Sequence, residues 1–392
     1  MVEETKRELL ELLRRLIAIP SVTGSEDVVK AIRFVRQWME EKEIETELIL
    51  SHGVPNLIAR VGEGVPGQKR FLWASHVDVV PTGSCMRWDM PPFLAWEKDG
   101  YLYGRGSSDA KSGLAAMMIA LEQLKKEEVR GTVELIISGS EENGSEDGIL
   151  GILNGKRQMQ FDGAVVSDPS DMCVEIAQRG LRWLEIRIHG IASHGARPYL
   201  GVNAISQAGR VIHALESIRH EDMMGLFEPE LRGPSISVNK IHGGIQNNIT
   251  AEECKMVLDC RMMPGQTQEQ ILQQIRAVVK QVVDSRCRVE YSFQGQGWDP
   301  FILNPEEPLV QCIMDVYKKV LGRPPVMRGK AGCTDASHIY KAGIPVVVLG
   351  PGNPRESHRD NEKVRIQNVA DMADILTESA REFLEAGGRH SQ

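Results

Sequence analysis

The stretch FLWASHVDVVP, residues 71–81, decides how the chain folds. Residues 71–75 are apolar or small without alternation, and chemistry begins directly after them with His76 and Asp78. An unbroken apolar run of this length reads as a strand buried on both faces, as in sheets covered by helices on either side. The pattern returns at 132–138, 164–167 and 345–349, each run bounded by Gly, Asp or Pro. Residues 113–126 read as a helix between two of these strands. Strands and helices alternate from residue 56 onward, which predicts a layered α/β architecture. Upstream, Leu9, Leu13 and Leu16 share one helix face, and Val28, Ile32, Val35 and Met39 another. Ser25-Glu26-Asp27 has the composition of a helix start.

The middle of the chain follows a different order. Residues 183–189, 235–241, 255–261 and 288–293 read as strands, and 202–217 and 267–283 as helices. This is β-α-β-β-α-β, the split βαβ order of a ferredoxin-like unit. Residues 300–308 then form a linker, and helix, strand and helix resume. The expected organisation is a discontinuous α/β domain, residues 1–180 and 295–392, interrupted by an inserted α+β domain, residues 181–294.

Composition narrows the function classes. At 392 residues the length prior is two to three domains. Lys and Arg total 46 against 54 Asp and Glu, a net charge of −8, which argues against nucleic-acid binding. The seven cysteines are scattered, and none forms a CxxC pair. That is the usage of a reduced, cytoplasmic protein. The stretch 1–16 reads as a charged amphipathic helix rather than a signal peptide, and no apolar run reaches the roughly 18 residues of a membrane span.

The polar clusters fall just beyond the strands. They are His76-Val77-Asp78, Gly139-Ser140-Glu141-Glu142, Asp168-Pro169, and a Gly-Pro-Gly loop at 350–352 leading to His358; Gly104-Arg105-Gly106-Ser107-Ser108-Asp109 precedes a helix. Ligands of open α/β sheets collect beyond the carboxyl ends of the strands, so these clusters are expected to converge. Imidazole with carboxylate and no thiolate suits zinc, cobalt or manganese. Read as strand residues two apart, His76 and Asp78 point the same way, so Asp78 can hold the second imidazole nitrogen. Of the adjacent pair Glu141-Glu142, one carboxylate can ligate while the other moves protons. Cys333, in Gly332-Cys333-Thr334-Asp335, lacks the His–Asn surroundings of a thiol nucleophile.

Together these motifs resemble the zinc-dependent acetylornithine deacetylase, succinyl-diaminopimelate desuccinylase and aminoacylase family, which also contains glutamate carboxypeptidases and dipeptidases. The resemblance rests on residues 76–81 (HVDVVP), 104–113 (GRGSSDAKSG), 140–145 (SEENGS) and 168–170 (DPS), with His358 and Glu362, and spans nearly the whole chain. It implies a three-layer zinc-exopeptidase-like catalytic domain with a ferredoxin-like dimerisation insert. It implies two zincs, with cobalt or manganese as substitutes. His76 and Asp168 would hold one metal, Glu142 and His358 the other, and Asp109 both. Asp78 would orient His76, and Glu141 would be the general base for a hydroxide bridging the metals and attacking an amide carbonyl.

Inside the insert, residues 193–198 (SHGARP) and 201–204 (GVNA) also match. The resemblance implies that His194 acts in the active site of a partner subunit of a homodimer, and that Asn248 and Arg261 hold the substrate carboxylate. The family often shows Asn-x-Pro where this chain has Asn248-Ile249-Thr250. The implied activity is deacylation of N-acyl amino acids, with a dipeptidase or carboxypeptidase as the alternative. A non-catalytic binder of an amino-acid derivative would have lost a ligand or the base, and all six positions are kept: His76, Asp109, Glu141, Glu142, Asp168 and His358.

Overall fold

The computed structural model describes residues 1–155, 160–216 and 233–386. The last residue of the expected helix 202–217 and the final residues, 387–392, of the expected segment 295–392 lie outside the described residues. The chain divides into two compact units, one of residues 1–176, 303–328 and 334–392, the other of 177–302 and 329–333.

The first unit is built on a mixed sheet. The strand Arg70–His76 pairs in parallel with Thr132–Ser138 on one side and Gly163–Val166 on the other, and Val346–Val348 adds in parallel beyond. The hairpin Glu45–Ser51 and Val54–Val61 extends it antiparallel. Every residue of Thr132–Ser138 and Gly163–Val166 is buried, which requires cover on both faces. Helices Glu3–Ala18, Lys111–Lys126 and Ile366–Glu385 pack against one another, the latter two also on Arg70–His76, while Asp27–Glu41 packs on the hairpin.

Local readings differ where charge or turn chemistry intervenes. The strand Val174–Gln178 was not expected from the sequence, because Glu175 breaks its apolar run; Arg328 Nε donates to Glu175 Oε1 at 3.0 Å and neutralises it in the interior. Ser25 does not cap its helix. The helix begins at Asp27, and Ser25 N–H closes a turn onto Val22 O at 2.9 Å.

The second unit holds a four-stranded antiparallel sheet in the order Ser235–Gly243, Glu253–Met262, Gly180–His189, Arg288–Trp298. That is the arrangement a split βαβ chain order produces. Burial alternates along Glu253–Met262, and its inward residues Cys254, Met256, Leu258 and Cys260 form one core with Ala208, Val211, Ile271 and Ile275 of the two helices Ala204–Glu216 and Gln268–Val282. Thr267 and Gln270 cap the second helix reciprocally. Residues 329–333 belong here because Arg179 donates from its backbone to Lys330 O and from Nε to Ala331 O, both at 3.1 Å.

Helix Lys111–Lys126 starts hard against the end of the strand that precedes Asp168. A Cβ added at Gly113 would lie 1.7 Å from Ser167 Oγ and 2.8 Å from its Cβ. Gly113→Ala is expected to lower unfolding stability by about 1–3 kcal/mol, the usual cost of overpacking, measured by urea denaturation. Ser167→Gly should recover most of that loss in the double variant.

Candidate metal centre

The parallel register carries the polar clusters to one edge of the sheet. His76 pairs with Ser138, and Ala74 with Val166, so the chain segments that follow, 139–142 and 167–168, leave the sheet beside His76. His76, Asp109 and Asp168 each offer a ligand atom within 4.8 Å of the others, and so do Asp109, Glu142 and His358. Asp109 belongs to both groups. All five expected ligands are thus brought together, and Glu141 stands in neither group.

His76 is buried at the end of its strand. Its Nδ1 donates to Asp78 O at 3.0 Å and lies 3.4 Å from the Asp78 carboxylate. That bond leaves Nε2 as the nitrogen that offers a lone pair when the ring is neutral. Nε2 has no hydrogen-bond partner, and Asp109 Oδ1 stands 3.4 Å away. An orphaned imidazole nitrogen facing carboxylates is what a cation site requires, so the donor set fits a metal.

Asp78 does more than orient His76. The strand stops at His76, so Asp78 lies in the following loop rather than on the strand. Its carboxylate accepts the backbone N–H groups of Glu141 at 3.0 Å and Glu142 at 3.2 Å, and the Thr23 hydroxyl at 2.8 Å. On the far side, His358 Nε2 lies 3.1 Å from Glu142 and 3.4 Å from Asp109. The His358 backbone takes φ 62°, a left-handed conformation uncommon for a side-chain-bearing residue and frequent at functional positions.

The 350–352 glycines are there for close approach. A Cβ on Gly350 would lie 2.3 Å from Asp168 O, and one on Gly352 2.2 Å from Ser108 O, so the loop threads between two ligand-bearing backbones.

Two buried carboxylates went unassigned in the sequence. Glu362 accepts backbone N–H groups at 106, 108 and 109. Asp335, with Ser145 donating to it, is pushed up to about 7 by burial against that bond. The sequence signal for Asp335 lies in Gly332-Cys333-Thr334-Asp335, two residues beyond the cysteine.

The second-unit candidates are placed as follows. His194 is exposed, and its Nδ1 accepts from Ala196 N–H at 3.1 Å. Asn248 is exposed, and its carbonyl accepts from Gly195 N–H at 2.7 Å. Arg261 turns its guanidinium onto Asp259, at 2.7 and 3.1 Å, so its fork is already engaged.

The profile of peptidase family M20/M25/M40 matches residues 72–382. The chain belongs to that family. As an M20 member it is a hydrolase acting on amide bonds. The succinyl-diaminopimelate desuccinylase of Bordetella parapertussis is 29% identical over 394 residues, covering 97% of this chain and 100% of its own. The protein of the same name from Psychromonas ingrahamii is 29% identical over 377 residues, covering 94% and 96%. Among solved structures, aminopeptidase PepT from Bacillus cereus superposes with a TM-score of 0.76 at 22% identity, over 96% of this chain and 98% of that one. Human carnosine dipeptidase 1 does so at 0.74 and 17%, over 97% of this chain and 96% of that one. These likenesses support the mixed α/β fold. No helix among the described residues is long and apolar enough to cross a membrane.

So many carboxylates in one place are costly without cations. Burial and the Asp109 charge push Glu142 up to about 7, against its bond to His358. Hydrogen bonds to Asp109 and Glu142 raise His358 to about 10. Both folded values exceed the ordinary 4.5 and 6.5. A group raised by folding stabilises the fold fully below its ordinary value and loses that contribution as pH climbs through the folded value. The part of the metal-free protein's stability that these two groups contribute is therefore expected to fall as pH rises from about 5 to about 10. His358→Gln should remove the upper part of that fall relative to the wild type, and the same pH dependence of melting temperature in both metal-free proteins would contradict the electrostatics described.

Proposed function

We propose that the protein is a dinuclear zinc hydrolase that removes the acyl group from an N-acyl amino acid. The observation that carries this reading is the pair of donor groups, His76–Asp109–Asp168 and Asp109–Glu142–His358, joined through Asp109. Imidazole and carboxylate donors suit zinc, with cobalt or manganese as substitutes. When bound, the metals would supply Lewis acidity at the amide carbonyl and at the attacking water.

The remaining work falls to this chain's side chains. Glu141 is buried and lies outside both donor groups, so its carboxylate is available to the reacting water. Burial, with the charges of Asp335, Glu142 and Asp168, holds it well above the usual carboxylate range, against the pull of His76. A carboxylate so poised accepts a proton from water and returns it to the leaving amine nitrogen. Asp78 keeps the base in place by holding its backbone N–H. His76 is kept oriented through its Nδ1 bond.

The deacylase direction draws on the full-length relatives, which are named succinyl-diaminopimelate desuccinylase. His194, Asn248 and Arg261 enter the proposal from the family resemblance, as a group acting in a partner's active site and as holders of the substrate carboxylate. Arg261 would have to exchange Asp259 for that carboxylate. A homodimer through the second unit and a cytoplasmic location complete the reading. None of the seven cysteines is in a disulfide, which suits a reducing compartment.

Chelation should abolish hydrolysis, and zinc or cobalt should restore it; chelator-insensitive turnover would end the metal reading. Glu141→Gln is expected to lower kcat by about 10²–10⁴-fold while zinc content stays unchanged. Unchanged turnover in that variant would remove Glu141 as base. A panel of N-succinyl, N-acetyl and N-carbamoyl amino acids alongside dipeptides, assayed on zinc-loaded enzyme, separates the activities. Turnover confined to dipeptides would replace the deacylase by a dipeptidase.

A further inference from the structure

Three of the ligand-bearing loops meet at one buried ion pair. The segment 77–81 follows His76, 104–109 ends at Asp109, and 358–362 begins at His358. Arg105 and Glu362 lie where they meet, with side chains 2% and 0% exposed. Arg105 Nη1 donates to Glu362 Oε2 at 2.6 Å and to Arg359 O at 3.2 Å, and Nη2 donates to Pro81 O at 3.3 Å. The guanidinium carbon stands 5.2 Å from the centre of the Trp88 ring.

The other carboxylate oxygen has a separate task. Glu362 Oε1 accepts three backbone N–H groups, from Gly106 at 3.1 Å, Ser108 at 2.8 Å and Asp109 at 3.0 Å. Successive N–H groups converging on one oxygen form an anion nest, here filled by the chain's own carboxylate. Filling it fixes the backbone of 106–109, and so the direction in which Asp109 leaves the chain. Glu362 belongs to the same short segment as His358, so the nest also sets Asp109 against His358.

A buried ion pair is a poor device for stability alone, since an apolar pair of the same volume often does as well. An apolar side chain at 362 could not satisfy three converging N–H groups. The role left to this carboxylate is orientation.

We propose that Glu362 is a positioning residue for Asp109, holding the shared ligand where it serves both donor groups, so that metal affinity depends on the nest. This rests on the two-metal reading above. Substitution of partners that orient ligands typically costs 10–100-fold in metal affinity.

The test uses Glu362→Gln, which keeps the length but loses the charge, and Glu362→Asp, which keeps the charge but withdraws it by roughly 1.5 Å, one carbon–carbon bond. Glu134→Gln serves as the control, because Glu134 is equally buried and paired with Arg60 and Arg70. Metal-free proteins are titrated with zinc against a chromophoric chelator, and the visible spectrum of the cobalt forms reports ligand geometry. Urea unfolding of the metal-free proteins gives stability separately.

Both Glu362 variants are expected to bind zinc at least about tenfold more weakly and to show a changed cobalt spectrum. Glu134→Gln should lose stability with its zinc affinity intact. Native zinc affinity and an unchanged cobalt spectrum in the Glu362 variants would overturn the inference, whatever their stability. If Glu362→Gln does not fold, Glu362→Asp decides by the same criteria. A wild-type protein that takes up no zinc overturns the two-metal reading and this inference with it; zinc uptake by the wild type with unaffected variants overturns this inference alone.

Discussion

The parallel pairing of Arg70–His76 with Thr132–Ser138 and Gly163–Val166 is the constraint on which the site depends. Parallel strands end together at their carboxyl ends, so whatever follows each strand is delivered to one edge. His76 ends the first strand, Glu141 and Glu142 follow the second, and Asp168 follows the third. The register fixes side-chain direction as well as position, because a slip of one residue would turn every strand residue to the opposite face. Total burial of the central strands makes such a slip expensive. The hydrophobic term that builds the sheet therefore also sets where the candidate metal centre lies.

Acidic side chains at this edge divide into two populations. Asp78 and Glu362 are spent on backbone N–H groups, and they hold the loops that carry Glu141, Glu142 and Asp109. Asp109, Glu142 and Asp168 carry the donor atoms of the two groups instead. The first population is held by a dense set of charge-assisted hydrogen bonds, which is what makes a buried carboxylate tolerable. The second has too little positive charge around it, since only His76 and His358 stand among its ligands. The loops bring mutually repelling carboxylates to a common space, and that imbalance is what a pair of divalent cations would relieve.

The sequence made the sheet legible because its central strands are unbroken apolar runs, and made the second unit legible through alternation, as in Glu253–Met262. It concealed Val174–Gln178, where a buried glutamate paired with an arginine looks like a surface residue until its partner, far along the chain, is known. His76, Glu142 and Asp168 were legible in strand-end clusters, Asp109 before a helix and His358 beyond a glycine loop, and the sharing of Asp109 came from the family resemblance. Asp78 was legible only in part. Its spacing from His76 was visible, but its hold on the 141–142 backbone comes from a loop and not from strand alternation. Glu362 stood in the motif without a role, because three of its partners are backbone groups, and a backbone N–H leaves no mark in the amino-acid sequence.

Glu141 and Glu142 show how far position separates identical chemistry. They are neighbours, and one carboxylate, that of Asp78, holds both backbone N–H groups. With both amides fixed toward the same acceptor, the two side chains have little freedom to exchange roles. Glu142 stands against His358 and Asp109, within a donor group, while Glu141 stands in neither. A carboxylate bound to a cation is a poor base, because the cation lowers its affinity for protons. Glu141, buried and surrounded by Asp335, Glu142 and Asp168, has a high proton affinity in the metal-free protein. On the proposed reading this adjacent pair would supply both a ligand and a proton acceptor, and Asp78 would keep the two apart by holding both backbone N–H groups.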